Sequence, residues 1–145
     1  MKVACFLVDH LPFKLEAELE PMLYRCHVII FMRHASKRIV VDVTPNVQHV
    51  VPGMELLEAQ AKCNDAVLIE ADMPKYENIF DRLLLRLSEW SPVVESAGLG
   101  CAYVGLDGLE NTYGNEERLI SGLLQVAPQH LEPRLGVSQS KFLAY

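Results

Sequence analysis

The chain has 145 residues, half of them hydrophobic and 22% charged, with 13 lysines and arginines against 19 acids for a formal net charge of −6. A domain of this length buries roughly 70% of the surface its unfolded chain exposes, so a sizeable core is available. The acidic balance argues against strong phosphate binding by this segment alone, which needs a basic face, and no apolar run approaches the ~20 residues of a membrane span.

In chain order, "VACFLV" (Val3 to Val8) is a continuous apolar run of strand length, the mark of a strand buried on both faces. Asp9 and His10 cut that run short and no small-residue cleavage site follows, so "MKVACFLV" reads as a first strand rather than a signal peptide, and the cytoplasm is the expected location. "FKLEAELEPM" carries helix formers and ends near Pro21. "HVIIFM" and "RIVVDV" are strands joined by the tight connection "RHASK", and "TPNVQHVVPG" is a loop with two prolines. "GMELLEAQAKC" sets Met54, Leu57 and Ala61 on one apolar face with acids early, a short amphipathic helix. "AVLIE" is a further strand.

From Pro74 to Trp90, the residues Tyr76, Ile79, Phe80, Leu83, Leu84, Leu87 and Trp90 recur at helical spacing, with Pro74 in the first turn. That stripe reads as core packing against the strands around Val3–Val8 and Ala102–Leu106. Glu95–Gly100 reads as a Gly-rich loop and Cys101–Val104 as the strand it enters. "NEERLISGLLQV" is a helix whose first-turn acids suit its dipole. "PRLGVS" is a last strand, and "SQSKFLAY" is the first turn of a helix without a body, so a longer protein is expected. The class is mixed α/β, with a small subdomain inserted between Leu23 and Asp72. Cys5, Cys26, Cys63 and Cys101 form no CxxC pair and read as reduced, mostly buried thiols, with spacing unsuited to zinc.

Five stretches carry a resemblance by their order and spacing: "VDHLPFKLE", "PGMELLEAQAKCND", "YENIFDRLLLRLSEWSPVVESAG", "AYVGLDGLENTYG" and "RLGVSQSKFLAY". Together they resemble the N-terminal part of the Y-family (UmuC-like) DNA polymerases, and more closely the ImuB-type branch. The resemblance implies an α+β fold: a polymerase-palm-like, ferredoxin-type mixed sheet packed with helices. Residues 1–22 and 73–145 would form a partial, incomplete palm and residues 23–72 a fingers-like insertion, with thumb and little finger beyond Tyr145.

Polymerase chemistry of this kind uses two Mg²⁺ ions held by clustered carboxylates. The family carries a D-x-D on the first strand and a D-E just before A-Y. Here the D-E pair falls on Gly100 and Cys101, and a register fixed by Glu16 puts Leu7 at the first strand acid and Asp9 at the second. The resemblance thus implies a degenerate metal site at Leu7, Gly100 and Cys101, with Asp9 as a remnant; Asp9 also reads as a helix N-cap or a strand-end acid. Of the other acids, Glu95 lies in the loop and Asp107 is about 20 Å along the strand from the site. The fingers positions for a Tyr and an Arg hold Val43 and Asn46, and the aromatic gate falls near Pro12. Lys141 matches a lysine that approaches the triphosphate, with a solvated charge as the equal alternative.

The resulting expectation is a non-catalytic adaptor in DNA repair or translesion synthesis that holds no cofactor. It would meet DNA through missing C-terminal domains, and an active polymerase and a sliding clamp through regions outside this stretch, with no membrane partner. The alternatives are an active DNA-directed DNA polymerase with displaced ligands, which would need Mg²⁺, and a palm-like binding module with no tie to DNA.

Overall fold

The apolar run at the N-terminus forms strand β1, Val3–Leu7, and Val3 through Phe6 are all buried. The structure is a computed structural model that describes residues 1–139, so Lys141 lies outside the described residues. After β1 come α1 (Leu11–Leu19), β2 (Val28–His34), β3 (Lys37–Val43), α2 (Leu56–Lys62), β4 (Val67–Glu70), α3 (Met73–Ser88), β5 (Val94–Ser96), β6 (Cys101–Gly105), α4 (Leu109–Tyr113), α5 (Glu116–Leu124) and β7 (Arg134–Ser138). Among the described residues no helix is long and apolar enough to cross a membrane.

The chain divides into two units: Met1–Asp9 with the chain from Glu77 on, and His10–Tyr76. The first unit holds a sheet in the order β5-β6-β1-β7, antiparallel throughout. Read along the chain, β1, α3, β5, β6, α5 and β7 make a β-α-β-β-α-β succession, the ferredoxin-like pattern, with the second unit inserted after β1. Ala4 and Phe6 on β1 stand opposite Val104 and Ala102 on β6, and all four are wholly buried. On α3 the expected stripe is buried at Tyr76, Phe80, Leu83 and Leu87, while Leu85 is 69% exposed.

Trp90 lies past the end of α3 and is half-buried. Its ring stands 4.8 Å from that of Tyr113, whose hydroxyl donates to the Trp90 carbonyl at 2.9 Å. Gly122 on α5 faces the indole so closely that a Cβ there would come within 2.1 Å of it, which reserves the position for glycine. Two features of this unit differ from the sequence reading. Glu95 belongs to a strand, β5, rather than a loop, and "LENTY" forms the short helix α4. Three and five residues are too few for a periodic pattern to declare itself.

The second unit holds the mixed sheet, in the order β3-β2-β4. β2 and β3 form an antiparallel hairpin, and β4 pairs with β2 in parallel. Successive side chains of β2 point to opposite faces. Ile29 and Phe31 join Val40, Val43, Val47, Val50, Leu56 and Ala59 in one core, and Val28 and Ile30 join Phe13, Ala17 and Leu23 in another. On α2 the buried residues are Leu56 and Ala59, and Leu57, expected on the apolar face, is 71% exposed. A Leu-Leu pair offers two apolar faces about 100° apart on a helix, and docking onto Val40 and Val43 selects the first.

The N-terminus of α1 is capped from a distance. Its N-cap residue, His10, has a left-handed backbone (φ 53°) and no capping side-chain bond. The oxygen comes from Asp42 on β3, which accepts the Phe13 N–H at 3.0 Å and meets His10 Nδ1 at 2.9 Å and the Val43 N–H at 2.9 Å. Asp42 is 6% exposed and lies beside the bulge where β2 and β3 shift register. Asp9 is therefore not the helix N-cap.

Two outcomes follow for stability, each measurable by chemical denaturation. Leu83→Ala should cost about 2–5 kcal/mol, whereas Leu85→Ala should stay within about 0.5 kcal/mol; equal effects would mean that the stripe is not docked. Asp42→Ala strands a buried helix N–H and should cost roughly 2–4 kcal/mol, with Asp42→Asn costing less because it keeps an acceptor.

Candidate functional site

β1 is paired on both edges, and its last residue fixes what meets there. Leu7 stands opposite Cys101 of β6 on one side and Arg134 of β7 on the other. The Val8 N–H donates to the Gly100 carbonyl at 2.7 Å, extending the ladder one step past the strand. Gly100 is buried with φ 87°, in the region that favours glycine. Side chains directly opposite one another share a face of the sheet, so Leu7, Cys101 and Arg134 form one row, and Cys5, Tyr103, Glu95 and Gly136 form the next.

The fold thus brings Leu7, Gly100 and Cys101 together at one end of β1, and Asp9 follows in the adjoining turn. The Asp9 carboxylate forms an ion pair with Arg134. Beside the Asp9–Arg134 pair, the two rows bring together two thiols and a leucine. Cys5 Sγ and Cys101 Sγ are 3.7 Å apart, and Leu7 and Tyr103 pack against the pair. Burial, then the Cys101 thiol beside it, pushes the Cys5 thiol up to about 12, so Cys5 keeps its proton at neutral pH.

The Mg²⁺ pair implied by the resemblance requires several hard oxygen donors converging on one point. Leu7 and Gly100 supply no side-chain donor, Cys101 supplies a soft one, and the Asp9 carboxylate is already matched by a guanidinium. These residues do not fit a two-metal centre. The remaining acids divide. Asp107 accepts the Lys2 N–H at 2.9 Å, at the far end of β1 and roughly 16 Å from Leu7 along the strand. Glu95 is closer than a loop position would put it: paired with Tyr103 on β5, it is the diagonal neighbour of Cys101, about 7–8 Å between Cα atoms.

In the second unit Val43 is buried in the core of β3, Asn46 is exposed in the turn after it, and Pro12 is buried in the first turn of α1. Neither Val43 nor Asn46 carries the charge or the aromatic hydroxyl of the family's fingers positions. Tyr76 donates its hydroxyl to Glu16 in the same unit, and burial, followed by that bond, raises the phenol well above its ordinary value.

Sequence reasoning missed three associations. Cys5 lies on the same face as Leu7, a period-two relation that was legible had the strand's partner been known. Asp42 meets α1 only through the β3 bulge. His27, Cys63 and Asp65 converge although 38 residues separate the first from the last: His27 Nδ1 lies 3.1 Å from Asp65 Oδ1, and the Cys63 thiol donates to that same oxygen at 3.3 Å. The His27 hydrogen bond holds the Asp65 carboxyl below its usual value, and burial pushes the Cys63 thiol up.

Comparison with known proteins places this geometry. A profile of the impB/mucB/samB family matches residues 6–145. DNA polymerase IV of Dehalococcoides mccartyi strain CBDB1 is 30% identical over 94 residues, covering 63% of this chain and 24% of that protein. The crystal structure of DinB from Sulfolobus solfataricus superposes with a TM-score of 0.82 at 22% identity, covering 99% of this chain and 44% of that one. The insertion ternary complex of Dbh DNA polymerase gives 0.81 at 21% identity, with the same coverage. The match thus spans under half the length of these solved structures and about a quarter of the curated relative.

Thiol chemistry tests the site directly. In the native chain Cys5 and Cys101 should alkylate at least ~10-fold more slowly than Cys26, since reaction needs an accessible thiolate, with the order read by mass spectrometry of timed iodoacetamide digests. Equal rates at all four cysteines would contradict the buried pair.

Proposed function

The chain belongs to the impB/mucB/samB family, and from that premise we propose that it is the N-terminal part of a Y-family DNA polymerase-like protein of DNA repair and translesion synthesis, serving as an adaptor rather than transferring nucleotides. The fold is that of the Y-family palm and fingers. In this reading residues 1–22 and 73–145 are palm and 23–72 the fingers-like insertion. One observation carries the proposal: where clustered carboxylates would hold metal, the register of β1 sets Leu7 against Cys101 and Arg134.

The chemistry of that row supports it. Nucleotidyl transfer requires stabilisation of charge at the attacking and leaving oxygens; a leucine, a glycine and two thiols offer none, and the Arg134 guanidinium is already paired with Asp9. The net charge of −6 gives this part little hold on phosphates, so DNA contact would rest on regions outside this chain. Those regions would also join a catalytic polymerase and a sliding clamp, as in the ImuB-type branch, in the cytoplasm.

A second reading has one observation in its favour. Glu95, on β5, shares the face of Cys101, so an active enzyme with displaced ligands would draw on Glu95 and Asp9.

Primer extension by the whole protein, with millimolar Mg²⁺ or Mn²⁺ and a primed template, decides between them. The expected result is no incorporation above a no-protein control. Template-directed extension that disappears in Asp9→Ala or Glu95→Gln would overturn the adaptor reading and establish the displaced-ligand site.

A further inference from the structure

The cluster at the open end of the second unit's sheet is a site of a different kind. His27 immediately precedes β2, and Asp65 lies in the turn between α2 and β4. The parallel pairing of Val28 with Val67, together with the bond from the Val67 N–H to the His27 carbonyl at 2.8 Å, fixes these two segments side by side. Cys63 is the C-cap residue of α2, its own N–H bonded to the Ala59 carbonyl. Backbone pairing and a helix end thus deliver the three side chains to one place, independently of the palm.

We propose that His27, Cys63 and Asp65 form a binding site for a borderline-soft divalent cation, Zn²⁺ by preference, completed by a water molecule. One ligand atom from each residue lies within 4.8 Å of the others. Asp65 Oδ1 is 3.1 Å from His27 Nδ1 and 3.3 Å from Cys63 Sγ. Bonds of about 2.0–2.3 Å around a tetrahedral zinc put its ligand atoms roughly 3.3–3.7 Å apart, so two of the three separations are near those of the bound state. The third closes by rotation of the His27 ring, whose side chain is 38% exposed.

The donor set selects the metal. A thiolate with an imidazole suits zinc and disfavours Mg²⁺ and Ca²⁺, which take oxygen. On binding, the Cys63 S–H bond breaks, its proton passes to water, and a metal–sulfur bond forms. His27 donates the Nδ1 lone pair with its proton on Nε2, and Asp65 gives one carboxylate oxygen; no electron is transferred. The ion would tie the start of β2 to the end of α2. Cys26, next to His27 in sequence, directs its thiol to the Met22 carbonyl instead.

Titration of the full chain with Co²⁺, followed by displacement with Zn²⁺, tests the site. One Co²⁺ per chain is expected, with the intense visible bands of a four-coordinate ion and a thiolate-to-cobalt charge-transfer band. Cys63→Ser should abolish that band and weaken Zn²⁺ binding at least ~10-fold, and the surface variant Asp65→Asn, which cannot disturb the core, should weaken it in the same direction. Cys26→Ser and Cys5→Ser should leave both readouts unchanged, and circular dichroism confirms that each variant is folded. The proposal is overturned by the absence of stoichiometric binding, by the weak spectrum of a six-coordinate ion, or by a charge-transfer band that survives Cys63→Ser.

Discussion

Everything in the first unit depends on the register of β1. Strands β6 and β7 both bond to it, so a slip of one residue would exchange its two faces, turning Ala4 and Phe6 to the side where Cys5 and Leu7 now pack. The cost of that exchange is large, because Ala4, Phe6, Ala102 and Val104 are wholly buried against one another's strands. A strand hydrogen-bonded on both edges and buried along most of its length has no freedom to re-register. The residue opposite Leu7 is therefore set by packing several residues away.

That constraint gives this end of β1 its chemical character. Two uncompensated carboxylates 4 Å apart repel by roughly 4 kcal/mol at an effective dielectric of 20, so an acidic cluster is stable only with cations among it. Leu7 and Cys101 at this end of β1 need no such cation and pack with Cys5 and Tyr103 instead. The one acid in the adjoining turn, Asp9, has an arginine for its counter-ion, and with both side chains exposed the pair contributes at most about 1 kcal/mol. Gly100 reinforces this state: its φ of 87° would strain an aspartate placed there.

The second unit is organised by a polar contact instead. Asp42 is buried yet meets three partners, His10 and the N–H groups of Phe13 and Val43. A carboxylate in that position substitutes for the capping side chain that His10 fails to provide, and so fixes where α1 begins. Among the described residues no buried side-chain nitrogen or oxygen lacks a hydrogen-bond partner, which is the condition for keeping polar side chains inside a small core.

Element type was legible in the sequence wherever apolar residues repeated over enough positions. The stripe Tyr76, Phe80, Leu83, Leu87 declares the helical period, and the continuous run Val3–Val8 reads as a strand by its length and its β-branched and aromatic residues. The ordered motifs pointed to the family, and with it to the palm-and-fingers fold. Where a segment was short or its pattern ambiguous, local information failed: β5 and α4 have no period to show, and the Leu56–Leu57 pair offers α2 two faces. Leu7, Gly100 and Cys101 were named together from the sequence, but their neighbours were not. Only pairing between distant strands sets Cys5 beside Cys101, Arg134 beside Asp9, Glu95 on the Cys101 face, and His27 beside Cys63 and Asp65. Each of these is a contact between segments remote in the chain, fixed by hydrogen-bond register and core packing, and a one-dimensional pattern records the faces of a strand without recording which strand will lie against it.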